Sequence, residues 1–175
     1  HPSFIHDSHP LAGVDGPFNA VSIFGHAVGH TFFYGRGAGS MPTASAVVAD
    51  ILSVGLGAAT AQFERLALWP DRSEAAHQLP IDQVHGRYYL RLTCQDSPGA
   101  LAAVTDVFGR HGISLSGVLQ HEPDNGSGGV PVVITTVATS EGNVRAACRE
   151  IDALPVVTAP TVVVRIVEEH QENLQ

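Results

Sequence analysis

At 175 residues, with 44% hydrophobic and 15% charged residues, the chain has the composition of a packed globular protein rather than a disordered one. A formal net charge of −8 provides no basic field for nucleic acid or an anionic membrane, so neither is expected as a partner. All nine Lys/Arg positions are arginine, which excludes chemistry that needs a lysine ammonium from within this sequence.

No apolar run approaches the length of a membrane span and no signal peptide is visible. The sequence opens at His1 inside an apolar, turn-rich pattern, and a segment of a longer chain is therefore expected. Residues 1–10 read as extended around Phe4 and Ile5, and Gly13, Asp15-Gly16 and Pro17 supply turn chemistry. Residues 20–24 and 31–34 read as strands joined by GHAVGH, a hairpin. His26 and His30 have a metal-ligand spacing, but Gly25 and Gly29 favour a turn with exposed histidines; metal binding by the His-rich start (His1, His6, His9) is the weaker reading. These pieces leave open strand edges, so further strands are expected upstream.

Three alternating glycines follow, Gly35, Gly37 and Gly39. A helix is expected from Met41 toward Gln62, with Ser40 as its cap, Pro42 in its first turn, and Gly55 and Gly57 weakening its second half. Ala44, Val47, Val48, Ile51 and Leu52 form an apolar stripe expected to be buried. The glycine run is not a dinucleotide fingerprint: its spacing differs, and no acidic ribose ligand follows in a βαβ unit. Residues 1–62 are taken as one domain segment and residues 63–86 as a linker broken by Pro70, Asp71, Ser73 and Pro80.

From Arg87 the pattern sharpens. Tyr88, Leu90, Leu92 and Cys94 alternate with polar neighbours as in a half-buried strand. Ser97 as cap and Pro98 at the first position predict a helix with Leu101, Val104, Val107 and Phe108 inward, and Gly112 sits where a C-terminal glycine belongs. Residues 113–120 predict a second strand with Ile113, Leu115 and Leu119 on one face. Residues 123–129 (PDNGSGG) read as a flexible connection and residues 130–139 as a third strand. Ser140 caps a second helix with Val144, Ala147, Cys148, Ile151 and Leu154 inward, residues 161–168 form a last strand, and residues 170–175 are a frayed tail. The fold class is α/β (α+β): an incomplete segment of strands plus one helix, then a ferredoxin-like βαββαβ domain at residues 87–169. Cys94 and Cys148 each lie on an apolar face, which favours two buried thiols in a reducing compartment over a disulfide.

The stretch QDSPGALAAVTDVFGRHGISLSGVLQ, residues 95–120, resembles the ACT domain, a small regulatory module that binds amino acids. The opening stretch, through SHPLAGVDGPFNAV and FYGRGAGSMPTASAVVADI, resembles the end of the catalytic part of homoserine dehydrogenase, whose bacterial members commonly carry an ACT domain next. The resemblance runs from His1 to about Glu168, and the joint order of the two parts is what makes it specific. It implies NAD(P)-dependent interconversion of homoserine and aspartate semialdehyde, on the route to threonine and methionine, in the cytoplasm. The dinucleotide fold and the lysines acting on substrate belong to the upstream portion, so no catalytic residue is expected here. Carried over from the family, Gly39 lies against the nicotinamide end of NADP or NAD, with Gly37 and Ala38 as second choices. The implied effector site is the loop with Asp96, Pro98, Gly99, Ala100 and Leu101, facing Ile113 and Ser114 of a neighbouring subunit's second strand. L-threonine is the implied effector and a homo-oligomer through the ACT domain the implied assembly; a stand-alone ACT sensing or dimerisation module is the alternative.

Overall fold

Strand alternation and two amphipathic helices build most of the second half of the chain. The structure, a computed structural model, describes residues 2–66, 76–120 and 129–168. It divides into two units: His1–His6 with Leu79–Glu169, and Asp7–Gln78 with His170–Gln175.

In the first of these, β1 (Ser3–Phe4) is followed, after the other unit, by β4 (His85–Cys94), α3 (Ala100–Arg110), β5 (Leu115–Gln120), β6 (Val130–Thr136), β7 (Thr139–Ser140), α4 (Glu141–Asp152) and β8 (Val157–Ile166). The sheet order β8-β4-β6-β5 is that of the expected ferredoxin-like split arrangement. Tyr88, Leu90, Leu92 and Cys94 of β4 and Val132 and Ile134 of β6 point to the helix side. There they pack with Val104, Val107 and Phe108 of α3 and Val144, Ala147, Cys148 and Ile151 of α4 in one buried core. The helix ends follow their sequence signals. Ser140 Oγ accepts the Asn143 amide at 3.3 Å as the α4 cap. At the end of α3, Gly112 adopts φ 66°, its amide bonds the Gly109 carbonyl, and the Ile113 amide bonds the Phe108 carbonyl. That pair of bonds is a Schellman closure, with Ile113 and Phe108 both in the core. Cys94 and Cys148 are buried free thiols; burial raises both, Cys148 to about 12.

A polar network ties α4 to this sheet. The Tyr88 hydroxyl donates to Glu141 Oε2 at 2.9 Å, Arg165 Nη2 donates to the same oxygen at 2.7 Å, and Arg145 Nε donates to Oε1 at 2.9 Å. Burial by itself would raise the Glu141 carboxyl, but the hydrogen bonds from Arg165, Tyr88 and Arg145 outweigh it and hold the group below its ordinary range. Burial, reinforced by the bond to Glu141, raises Tyr88.

The other unit holds β2 (Phe18–Gly25) and β3 (Gly29–Arg36), then α1 (Ser40–Gly55) and α2 (Ala58–Arg65). The hairpin is in full antiparallel register from Phe18↔Arg36 to Gly25↔Gly29, longer than predicted and with His26 in its turn. Among the described residues no single helix is long and apolar enough to cross a membrane; α1 and α2 reach that length and composition only together, with a bend of 80° between them.

Several expectations change. Residues 1–62 do not all fall in one compact unit, because Ser3 and Phe4 pair in parallel with Arg165 and Ile166 of β8 and extend the other unit's sheet. Phe4 meets the Tyr89 ring edge-on at 5.3 Å. The single helix toward Gln62 is two helices, because Gly57 turns left-handed at φ 72° and starts α2. Helix continuation to Arg65, and pairing of His85 and Gly86 with Ser140 and Thr139, shorten the linker at both ends. Ser40 is the first residue of α1 rather than its cap, a place taken by Gly39. Ser97 likewise makes no side-chain cap bond; Gly99, left-handed at φ 91°, precedes α3. The stripe of α1 is exposed, Ile51 by 64%, since no described layer packs over it. Leu119 is also exposed. A bulge between Leu115 and Gly117 opposes two residues to one on β6, which reverses the alternation and puts Leu119 opposite Val133 instead of on the core side with Leu115. The last strand starts earlier than expected, at Val157. The predicted flexible connection, apart from Gly129, and the frayed tail lie outside the described residues.

Candidate functional site

β4 ends at Cys94, and the chain must turn sharply before α3 can lie across the sheet. Gln95 anchors the turn: its amide donates to the Val156 carbonyl at 2.8 Å and its Nε2 to the Pro155 carbonyl at 2.9 Å. The Ser97 amide then bonds the Gln95 carbonyl, and Gly99 takes the left-handed conformation that a side chain would strain. This loop forms one wall of a cavity of about 380 Å³.

The cavity brings together five of the predicted effector residues, Asp96, Pro98, Gly99, Ala100 and Leu101. It also includes Gln120, Val130 and Val132, which sequence reasoning missed. The missing signal is tertiary: β6 lies between β4 and β5 in the sheet, so its start reaches the α3 loop. Ile113 and Ser114 do not line the cavity of their own chain. Ile113 is in the core, and the Ser114 carbonyl accepts the Val137 amide at 2.8 Å.

The turn itself uses part of the loop's donor set. The Ala100 amide is already bonded to the Ser97 carbonyl at 3.2 Å, and the first helical bond runs from the Ala103 amide to the Gly99 carbonyl. The amides of Leu101 and Ala102 therefore remain at the helix start without an intrahelical acceptor, suited to a carboxylate. Asp96, exposed at the rim, supplies a carboxylate for a cation.

The glycine turn ahead of α1 is a second, separate feature. Gly37 and Ala38 donate their amides to the Pro17 carbonyl at 3.1 and 3.3 Å, which ties the end of β3 to the start of β2. A Cβ on Gly37 would fall 1.8 Å from Asn19 Nδ2, so any side chain there would have to displace the Asn19 side chain. Gly39 stands at φ 118°, ψ 149°, a region that L side chains rarely adopt, and has no side-chain cap. Its carbonyl accepts both the Thr43 amide and the Thr43 hydroxyl. The amides of Ser40 and Met41 precede the first helical bond and point out of the helix start beside a backbone with no side chain to block approach. This end of the turn suits close contact with a ligand, whereas the Gly37 and Ala38 amides are committed internally. Among the described residues there is no group of three metal-ligating side chains.

With both features placed, their similarity to known proteins can be stated. Residues 1–52 match the family model described as homoserine dehydrogenase, and residues 88–156 match the ACT domain. The chain matches the C-terminal portion of homoserine dehydrogenase. Homoserine dehydrogenase of Pseudomonas aeruginosa is 38% identical over 170 residues, which span 95% of this chain and 39% of that protein. The Synechocystis enzyme is 39% identical over 171 residues, with the same coverage. The crystal structure of the Thiobacillus denitrificans homoserine dehydrogenase superposes with a TM-score of 0.79 at 38% identity, over 97% of this chain and 38% of that one. The chain thus spans about two-fifths of the length of the homoserine dehydrogenases it matches, 39% in the first two. Similarity to these enzymes over 95% of the chain disfavours the stand-alone ACT module, which would account for the ACT part alone.

Proposed function

We propose that this chain is the regulatory end of an NAD(P)-dependent homoserine dehydrogenase that interconverts L-homoserine and L-aspartate 4-semialdehyde for threonine and methionine synthesis in the cytoplasm. The joint match of the glycine-turn segment and the ACT domain within one chain carries this reading. The nicotinamide cofactor would supply or accept the hydride. The Gly39 backbone, with the amides of Ser40 and Met41 behind it, would close one side of its site; Gly37 and Ala38 would hold the turn in place. The chain by itself would not turn over substrate, since it has no lysine to act as the ammonium acid. Incubated with homoserine and NADP, it is expected to give no NADPH absorbance; any homoserine-dependent reduction would overturn this point.

The ACT unit would take an amino-acid effector, L-threonine by the logic of the pathway. The effector carboxylate would sit on the Leu101 and Ala102 amides and its ammonium near Asp96. Ile113 and Ser114 would enter from the second strand of a neighbouring subunit. The terminal position of β5 in the sheet supports such an assembly: among the described residues it pairs only with β6, leaving its other edge without a described partner strand, and Val118 and Leu119 are exposed on it. Calorimetry with threonine and a panel of amino acids tests the effector, with saturable threonine binding that Asp96→Ala weakens about tenfold as the expected result. Silence across the panel would reduce the ACT unit to an assembly device. A monomer at micromolar concentration by light scattering would remove the assembly itself.

A further inference from the structure

A groove between α4 and β8, on the helix-covered side of the sheet, plays no part in the reading above. It encloses about 510 Å³ and shares no lining residue with the cavity of the α3 loop. Its walls are largely apolar, with Val144 and Cys148 of α4 facing Val163 of β8. Arg145 and Arg149 lie one helical turn apart along its side, and Arg165 comes from β8.

Glu141 is the one carboxylate among these lining residues, and it already accepts from Arg145, Arg165 and the Tyr88 hydroxyl. Three guanidiniums against that carboxylate leave the groove electropositive on a chain of net charge −8. Arg149 makes no ion pair with any described residue. Arg145 is half exposed and bonds Glu141 through Nε, so its terminal nitrogens remain available.

An apolar groove flanked by guanidiniums selects for a ligand with both characters. A guanidinium pairs a carboxylate through two parallel hydrogen bonds, while hydrocarbon gains from leaving water for the valines. Inorganic phosphate would satisfy the arginines but leave the valines wet. A zwitterionic amino acid would bring an ammonium toward three like charges. We propose that this groove binds a small organic carboxylate with a short, branched apolar chain, its carboxylate on Arg149 and Arg145 and its hydrocarbon on Val144 and Val163. The site is distinct from the proposed threonine site, and the amides that report on each are different.

The test is a titration of the 175-residue chain, followed by amide NMR, with isovalerate, its neutral isostere isovaleramide, and inorganic phosphate. Isovalerate is expected to shift the amides of residues 144–149 and 163–165 saturably in the millimolar range. Isovaleramide and phosphate should act about tenfold more weakly, and residues 96–101 should not respond. Arg149→Gln should weaken isovalerate about fivefold or more, with Arg149→Lys losing less. Arg149 is an exposed residue of α4, so both variants are expected to keep the spectrum of the folded chain. The proposal is overturned by any of four results: no saturable shift, an equal response to isovaleramide or phosphate, shifts confined to residues 96–101, or an Arg149→Gln variant that binds isovalerate as the parent does.

Discussion

The two units make opposite use of the same kind of sequence pattern. In the ACT unit the stripes of α3 and α4 are spent on a core, with Val104, Val107, Phe108, Val144, Ala147 and Ile151 all essentially inaccessible. In the hairpin and helix unit the stripe of α1 is as regular, yet Val47, Val48, Ile51 and Leu52 are all more than half exposed. His9 is the only described residue of that unit that counts as buried. The difference is one of layers. Four strands under two helices enclose a volume, whereas a two-stranded hairpin and two helices have too few layers to do so. Periodicity reports that a partner layer is required; whether this chain holds that layer is a separate matter.

The largest expected contrast comes from truncation within the two stripes. Phe108→Ala should destabilise the ACT unit by about 3–5 kcal/mol in urea unfolding, because transfer and cavity costs add in a closed core. Ile51→Ala in this chain should cost less than about 0.5 kcal/mol. An Ile51→Ala cost close to that of Phe108→Ala would break the comparison. Next in size, Glu141→Gln removes the countercharge of Arg165, whose side chain is 18% exposed, and should cost about 2–4 kcal/mol at neutral pH. The Glu141 carboxyl is held below its ordinary range in the folded state. Its stabilising contribution is thus complete above the unfolded carboxylate value and fades as pH falls through the folded one. Urea midpoints measured from neutral to acid pH should therefore converge for the parent and Glu141→Gln, and a constant gap would show that the carboxylate's charge is not what matters.

Smaller effects probe the helix ends. Gly112→Ala forces a side chain into φ 66° and should cost about 1–2 kcal/mol. Ser140→Ala removes the acceptor for the Asn143 amide and should cost about 1 kcal/mol, with Ser140→Asp retaining most of the stability. Both losses should appear in the urea transition of the ACT unit, and a silent Gly112→Ala would mean that the Schellman closure is not held in solution.

Much of the ACT unit was legible because its signals are local. The alternation of Tyr88, Leu90, Leu92 and Cys94, the left-handed glycine at Gly112 and the cap at Ser140 each act within a few residues, and each recurs in the structure. The α3 loop was legible in part: Pro98 and Gly99 mark a turn, but the internal bond from the Ala100 amide to Ser97 depends on backbone angles that residue types leave open. Gln120, Val130 and Val132 were not legible as site residues, because their place beside that loop follows from strand order. At the glycine turn, sequence spacing marked three glycines alike. The structure separates their roles: a side chain at Gly37 would have to displace that of Asn19, whereas Gly39 is held to glycine by its own φ of 118°.

By itself, then, the sequence determined the βαββαβ order, the inward faces of α3, α4 and β4, and the absence of a lysine acid, since all of these are properties of residue type and short spacing. Only the tertiary structure decided that Ser3 and Phe4 join the far edge of β8, that the bulge before Gly117 turns Leu119 outward, and that Glu141 collects Tyr88, Arg145 and Arg165. Most of these contacts join residues many positions apart, and their register depends on how whole elements pair and pack. No local pattern carries that information.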